Sequence, residues 1–358
     1  MTSSRPIKLD QLETTGTLLE KIQACKTLPV LSPLASKILK MCQDEKAETS
    51  KLANLISQDP GMAVKILTMA NSGYYGGGRH KVTSVPQAVI LLGFTTIANL
   101  ALSFCFFHLI NGMKASRTPA INHVQFWRRS ILSSIAGRAI GKHFASPDTE
   151  LMFLAALLQD IGLLALNEVA PEEIKAIQDQ SPVDHTDLCR LELAYLGVDH
   201  SQVGTWLAQQ WELPEEFQLS ILYSHTPELL ETPSDFQILV DVVSVSGLIA
   251  DIWMTTTTEV AIAIAQEKSQ GRFLIQPEDW GPILDHFMAG IPQIATFFQT
   301  KLGSVDEIAN VHHLALNQLA PSYMDSLLQE NKGHTIPETE TTAKHLNSWW
   351  NIHSRLRT

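Results

Sequence analysis

The chain has 358 residues, 45% of them apolar and 18% charged, with a formal net charge of -11. That length allows two domains, or one domain with an extension, and the apolar content fills a substantial core. The acidic balance argues against a general nucleic-acid binder, because backbone phosphates have to be neutralised by Lys and Arg.

Taken in order, the predicted elements are helical nearly throughout, with no sustained polar–apolar alternation of the kind strands need. Helix starts are marked at Asp59-Pro60 before GMAVKILTMAN, at Ser84 before VPQAVILL, and at Ser146-Pro147 before DTELMFLAALL. The run between Lys81 and Lys114 has no charge, but Pro86, Gly93 and the polar series Thr95, Thr96, Asn99 and Ser103 interrupt it. Two short buried helices are expected there rather than a membrane span. INGMKASRTPAINH reads as a connector, FWRRSILSSIAGRAIGKHF as a longer helix, and TTTTEVAIAIAQ opens a third helical segment. NKGHTIPETETT is a polar linker, followed by a short terminal helix with Trp349 and Trp350 that could dock on the domain or bind a partner. The expected fold class is therefore all-α. Its parts are an N-terminal helical subdomain (1–115), a second helical subdomain (116–255), a helical extension (256–330), and a linker with a terminal helix (331–358).

Charge is unevenly spread, with 13 Lys and Arg against 7 Asp and Glu in residues 1–120 and 13 against 30 in the remainder. Two faces with different partners would produce this, as would ordinary drift in surface composition. A nucleic-acid regulator would have to use the cationic first third. Cys25, Cys42, Cys105 and Cys189 show no CxxC spacing, as expected of reduced thiols. MTSSRPIKLD has no apolar stretch of signal-peptide type, so a cytoplasmic location is expected.

The stretch LLQDIG places Gln159 and Asp160 side by side in an otherwise apolar run, and a buried carboxylate needs a partner. YYGGGRHKVTS falls short of a phosphate loop because His80, not Gly, precedes Lys81. Tyr74 and Tyr75 read as packing residues. Arg79, His80 and Lys81 form a small basic patch suited to docking a partner protein, and a weak nucleic-acid site.

Several motifs occur together and in order: LPVLSP, the helix-capping DP, ANSGYYG, LLGFTTIANLALS, FWRRSILSSIAGRAIG, LMFLAALLQDIGLLAL, GVDHSQVGTWLAQQWELPEEF and SHTPE. Over roughly residues 12–255 the chain resembles the HDOD family of bacterial signalling proteins. The resemblance implies a helical subdomain packed on a degenerate HD-like bundle, related to metal-dependent phosphohydrolases but without a complete metal set. The first metal His of such hydrolases falls in W-x-H-S; Arg129 stands there, after Trp127 and Arg128. The HD pair becomes Gln159 and Asp160. His200 and His225 match additional histidines of HD-GYP hydrolases, or are helix-end and core residues satisfied by hydrogen bonds. The late Asp aligns loosely with Gly247, with Asp251 four residues on.

A guanidinium at a first-ligand position repels a metal, so Arg129 is expected to pair with Asp160 in its place. The chain is thus expected to be a regulatory protein, not an enzyme, that binds signalling proteins or a small ligand in the vestigial pocket. No cofactor, membrane or nucleic acid is expected. The alternatives are a residual phosphohydrolase for nucleotides or cyclic dinucleotides, with iron or zinc on Asp160, His200 and His225, and the nucleic-acid regulator. The sequence does not specify the oligomeric state.

Overall fold

The protein is described from a computed structural model covering residues 18–25, 28, 30–44, 46–75, 81–111, 120–180, 182, 184–231, 236–270 and 275–331. Among the described residues there is no strand. The N-terminal group comprises α1 (Leu18–Ala24), α2 (Pro33–Cys42), α3 (Thr49–Ser57), α4 (Pro60–Ala70), α5 (Val85–Leu92) and α6 (Phe94–Asn111). Next come α7 (His123–His143), α8 (Thr149–Leu158), α9 (Ile161–Val169), α10 (Pro171–Gln178), α11 (His185–Leu196), α12 (His200–Gln210), α13 (Glu215–Leu222) and α14 (Gln237–Ile252). The chain continues through α15 (Thr258–Ser269), α16 (Pro277–Phe298), α17 (Val305–Leu319) and α18 (Pro321–Asn331).

The caps explain where several helices begin. Asp59 Oδ1 accepts from the Met62 amide at 3.0 Å, and Ser84 Oγ from the Gln87 amide at 3.4 Å, each followed closely by a proline that fits the first turn. The start expected at Ser146-Pro147 lies two residues too early. Ser146 Oγ instead accepts from the Asp148 amide at 3.2 Å, a local turn that holds the backbone out of helix until Thr149.

The uncharged run forms two helices, α5 and α6, bent by 119° at their junction. Gly93 makes that corner with φ +87°, a conformation that L side chains rarely adopt. The stretch Thr149–Val169 is long and apolar enough to cross a membrane, but 89% of its most apolar window is buried inside the protein. It behaves as core.

Helix α7 is the axis of the structure. From Arg129 to Gly141 it is buried on all sides, with α8, α14 and α16 packed along it, so the C-terminal segment joins the same hydrophobic core as the rest. Two arginines on α7, Arg129 and Arg138, are both 7% exposed. They are nine residues apart, two and a half turns, and so point to opposite sides. Arg138 pairs with Glu150 on α8 and lies under the rings of Tyr74 and Tyr75, 4.0 and 4.3 Å from their centroids. The Tyr75 hydroxyl donates to Glu150 at 2.7 Å. This cation–π and ion-pair cluster clamps the turn after α4 onto the central helices. The two tyrosines are packing residues, as the sequence suggests.

Helices α9 and α12 approach unusually closely. A Cβ on Gly162 would lie 2.0 Å from the His200 carbonyl oxygen and 2.5 Å from the Gly204 amide nitrogen. Both obstacles are backbone, which cannot rotate away. Gly162→Ala should therefore cost about 3 kcal/mol or more in urea unfolding. Gly61→Ala, whose nearest neighbour would be the Asp59 carboxylate at 3.3 Å, should change stability by less than about 1 kcal/mol.

Candidate functional site

Gln159 and Asp160 do not sit mid-helix. They form the turn between α8 and α9, and both side chains are essentially buried. The Gln159 side chain donates from Nε2 to the Ala156 carbonyl at 3.0 Å, offering the backbone a local alternative to continuing the helix. Its Oε1 faces Gly247, where a Cβ would come within 2.7 Å. Gln159 is thus wedged against α14 and takes no part in the charged cluster.

Arg129 sits between two carboxylates. Its Nη1 pairs with Asp160 Oδ2, while Nε and Nη2 donate to Asp251 Oδ1 and Oδ2 at 2.6 and 3.1 Å. The contact to Asp251 is a two-bond fork, the arrangement that gives guanidinium–carboxylate pairs their strength and fixed orientation. The loose alignment of the late acid with Gly247 is corrected by one helical turn. Gly247 contributes only a backbone carbonyl, 3.4 Å from Nη2, and the acid facing Arg129 is Asp251.

The second oxygen of Asp160, Oδ1, faces three imidazoles. His225 Nε2 is at 3.0 Å, His185 Nδ1 at 3.4 Å and His200 Nε2 at 3.6 Å. His185 and His200 are the first residues of α11 and α12, and each follows an aspartate, Asp184 or Asp199, whose side chain caps the helix. His225 comes just after α13. The close approach of α9 and α12 across Gly162 and Gly204 puts His200 beside Asp160. On its far side, His200 Nδ1 meets Glu192 Oε2 at 2.6 Å, and the same oxygen accepts from the His200 amide at 2.8 Å.

These contacts set the charge states. Burial opposes ionisation of Asp160, but the Arg129 guanidinium, helped by His185 and His200, holds its carboxyl well below the usual carboxylate range. Burial pushes His225 down to about 3, so it is neutral at physiological pH. Burial works against charged His200 too, yet Cys189, Glu192 and Asp160 together raise it well above the usual imidazole value.

Two adjoining cavities open onto this cluster. One of about 270 Å³ is lined by His185, His225, Ser224, Asp251 and Lys268, with Arg129 at its floor. The other, of about 700 Å³, reaches Arg129 and Asp160 between apolar walls that include Phe126, Leu188, Leu248, Met254 and Val260. Lys268 on α15 closes part of the rim by donating to Asp184 and Thr186, both at 2.7 Å. An apolar cavity with a few convergent polar groups is the ordinary form of a small-ligand site.

The HDOD domain family matches residues 28–227. This chain belongs to the HDOD family. An HDOD domain protein of unknown function from Geobacter sulfurreducens is 20% identical, with a TM-score of 0.59 over 86% of this chain and 99% of that one. A candidate signal transduction protein from Marinobacter aquaeolei is 21% identical, with a TM-score of 0.57 over 81% and 67%. A candidate phosphohydrolase from Shewanella amazonensis is 19% identical, with a TM-score of 0.54 over 85% and 94%. At these identities the likeness shows the fold alone. An uncharacterized protein of Treponema pallidum is 22% identical over 221 residues, and the alignment spans 62% of this HDOD chain and 42% of that relative.

The metal set of an HD hydrolase does not fit these residues. Arg129 puts a permanent cation where the family resemblance places the first ligand, the Gln159 side chain bonds to the Ala156 carbonyl, and Asp251 is paired with Arg129. Of the residues the sequence singles out, Arg129, Asp160, His200 and His225 come together and Gln159 does not. His185 and Glu192 were missed. The available signal was the repeated Asp–His at two helix starts, Asp184-His185 and Asp199-His200, which places each imidazole at a capped first turn. In the proposed docking patch Lys81 is exposed, while Arg79 and His80 lie outside the described residues, as do Trp349 and Trp350.

The two acids on Arg129 are not equivalent, because the side chain of Asp160 is 2% exposed and that of Asp251 23%. Asp160→Ala should destabilise by about 3–5 kcal/mol, leaving the guanidinium half-paired and dry. Asp251→Ala should cost about 1–2 kcal/mol, since water reaches that side. Urea unfolding of both variants checks the order.

Proposed function

We propose that this HDOD chain is a non-catalytic regulatory module of bacterial signal transduction, acting in the cytoplasm. It recognises a small ligand or a segment of a signalling protein in the cavities above Arg129. The observation that carries this reading is the guanidinium between Asp160 and Asp251, where an HD hydrolase would place metal. Hydrolysis by that class of enzyme needs an ion to activate water, and an arginine that stays protonated can neither ligate an ion nor lower the pKa of water through coordination. The apolar walls and polar floor of the larger cavity fit recognition without reaction.

The convergence of Asp160 with three imidazoles favours a second reading, a residual phosphohydrolase for nucleotides or cyclic dinucleotides. One set of assays separates the two. Purified protein supplied with Mn²⁺, Fe²⁺ or Mg²⁺ is expected to turn over neither class of substrate faster than the Asp160→Asn variant does. Partner capture should be weakened at least tenfold by Ala261→Trp, which puts a large ring into the lining of the larger cavity. Turnover that disappears in Asp160→Asn would overturn the non-catalytic reading.

A further inference from the structure

We propose that the two adjoining cavities bind a small organic cation, an amine or guanidine carried on an aromatic or aliphatic body, with its charged head at Asp251 and its body in the larger cavity. The proposal rests on the ligand-binding reading above and names the class of ligand.

The arginine and the lysine of the lining are already engaged. Arg129 donates to Asp160, twice to Asp251 and once to the Gly247 carbonyl, which takes four of its five N–H groups. Lys268 donates to Asp184 and Thr186. A phosphate or carboxylate entering either cavity would have to displace an aspartate to reach one of these cations. The acids, by contrast, are in excess. Leaving the imidazoles aside, Asp160, Asp184, Glu228 and Asp251 stand against Arg129 and Lys268, four negative charges against two positive. The charged His200 does not redress this balance, because it lines neither cavity and pairs with Glu192 at 2.6 Å on its far side.

Asp251 is the acid best placed to receive a cation. It lines both cavities, and its side chain is 23% exposed where that of Asp160 is 2%. Each of its oxygens accepts one bond from Arg129, and a carboxylate has about four acceptor positions, so room remains for the N–H groups of a ligand. Asp184 also lines both cavities and puts a second carboxylate on the lining they share. Beyond it the larger cavity is walled by Phe126, Leu163, Leu188, Met254, Val260 and Ile264. Its volume of about 700 Å³ is that of an ordinary small-molecule pocket. An inorganic cation gains nothing from those walls, whereas an aryl or alkyl body is desolvated against them. The same walls lower the local dielectric and strengthen attraction between the head and Asp251.

The test titrates the full chain with three probes that share one ring system and differ in charge: naphthylmethylamine, naphthalenemethanol and naphthoate. The amine should bind about tenfold or more tighter than naphthoate, with the alcohol between them, and added salt should weaken the amine alone. Ala261→Trp should block all three. Asp251→Asn, checked for folding by circular dichroism, should remove the preference for the amine. Lys268 lies exposed at the rim, so Lys268→Gln keeps the fold while deleting a like charge and releasing Asp184. That variant should bind the amine about threefold tighter, whereas a cavity built for anions would lose affinity for naphthoate. Naphthoate bound as tightly as the amine, amine binding weakened by Lys268→Gln or untouched by Ala261→Trp, or no probe bound at millimolar concentration overturns the inference. Turnover of nucleotides or cyclic dinucleotides that disappears in Asp160→Asn would instead overturn the non-catalytic reading, so the two failures are distinguishable.

Discussion

The arrangement of the whole site depends on how one carboxylate divides its two oxygens. Asp160 gives Oδ2 to Arg129 and turns Oδ1 toward His185, His200 and His225. A carboxylate this deeply buried costs several kcal/mol unless it is paired and hydrogen-bonded on all sides. The fold meets that demand by bringing α7, α11, α12, α14 and the end of α13 around the α8–α9 turn. The same demand accounts for the two glycines at the crossing of α9 and α12, because no side chain fits where His200 has to approach.

Helix α7 carries two such centres on opposite sides. Arg129 joins it to α14 and the α8–α9 turn, and Arg138 joins it to α8 and the turn after α4. One arginine is therefore shared between the candidate site and the core, while the other fastens the N-terminal helices to the same axis. A ligand that changes the balance around Arg129 would act on the helix that Arg138 couples to the N-terminal group. Buried ion pairs add little net stability against apolar residues of the same size, but they fix geometry because every alternative leaves a charge unpaired.

Much of this was legible in the chain, and the parts that were not have physical reasons. The helical class, the corner at Gly93 and the caps at Asp59 and Ser84 follow from local preferences, which the structure keeps. The start of α8 did not, because Ser146 closes a turn of its own before the helix begins. Arg129 opposite Asp160 could be inferred from the identity of the replaced residue and the cost of a lone buried carboxylate. Asp251 could only be placed loosely, since one turn along α14 decides which residue faces α7 and sequence spacing does not fix that phase. His185 was missed because the Asp–His pair at the start of α11 marks a capped first turn but not the carboxylate that its ring meets, which tertiary packing decides. The family match ends at residue 227, before α14, and so leaves out the second acid on Arg129.

The most direct measurement is the coupling energy between Arg129 and Asp160, from a double-mutant cycle in which Arg129→Met, Asp160→Asn and the double variant are unfolded in urea. If the pair is the organising contact of the site, the double variant will be more stable than the sum of the single losses predicts, by about 2 kcal/mol or more. Additive losses, within about 0.5 kcal/mol, would contradict the account, because they would mean that the two groups contribute independently.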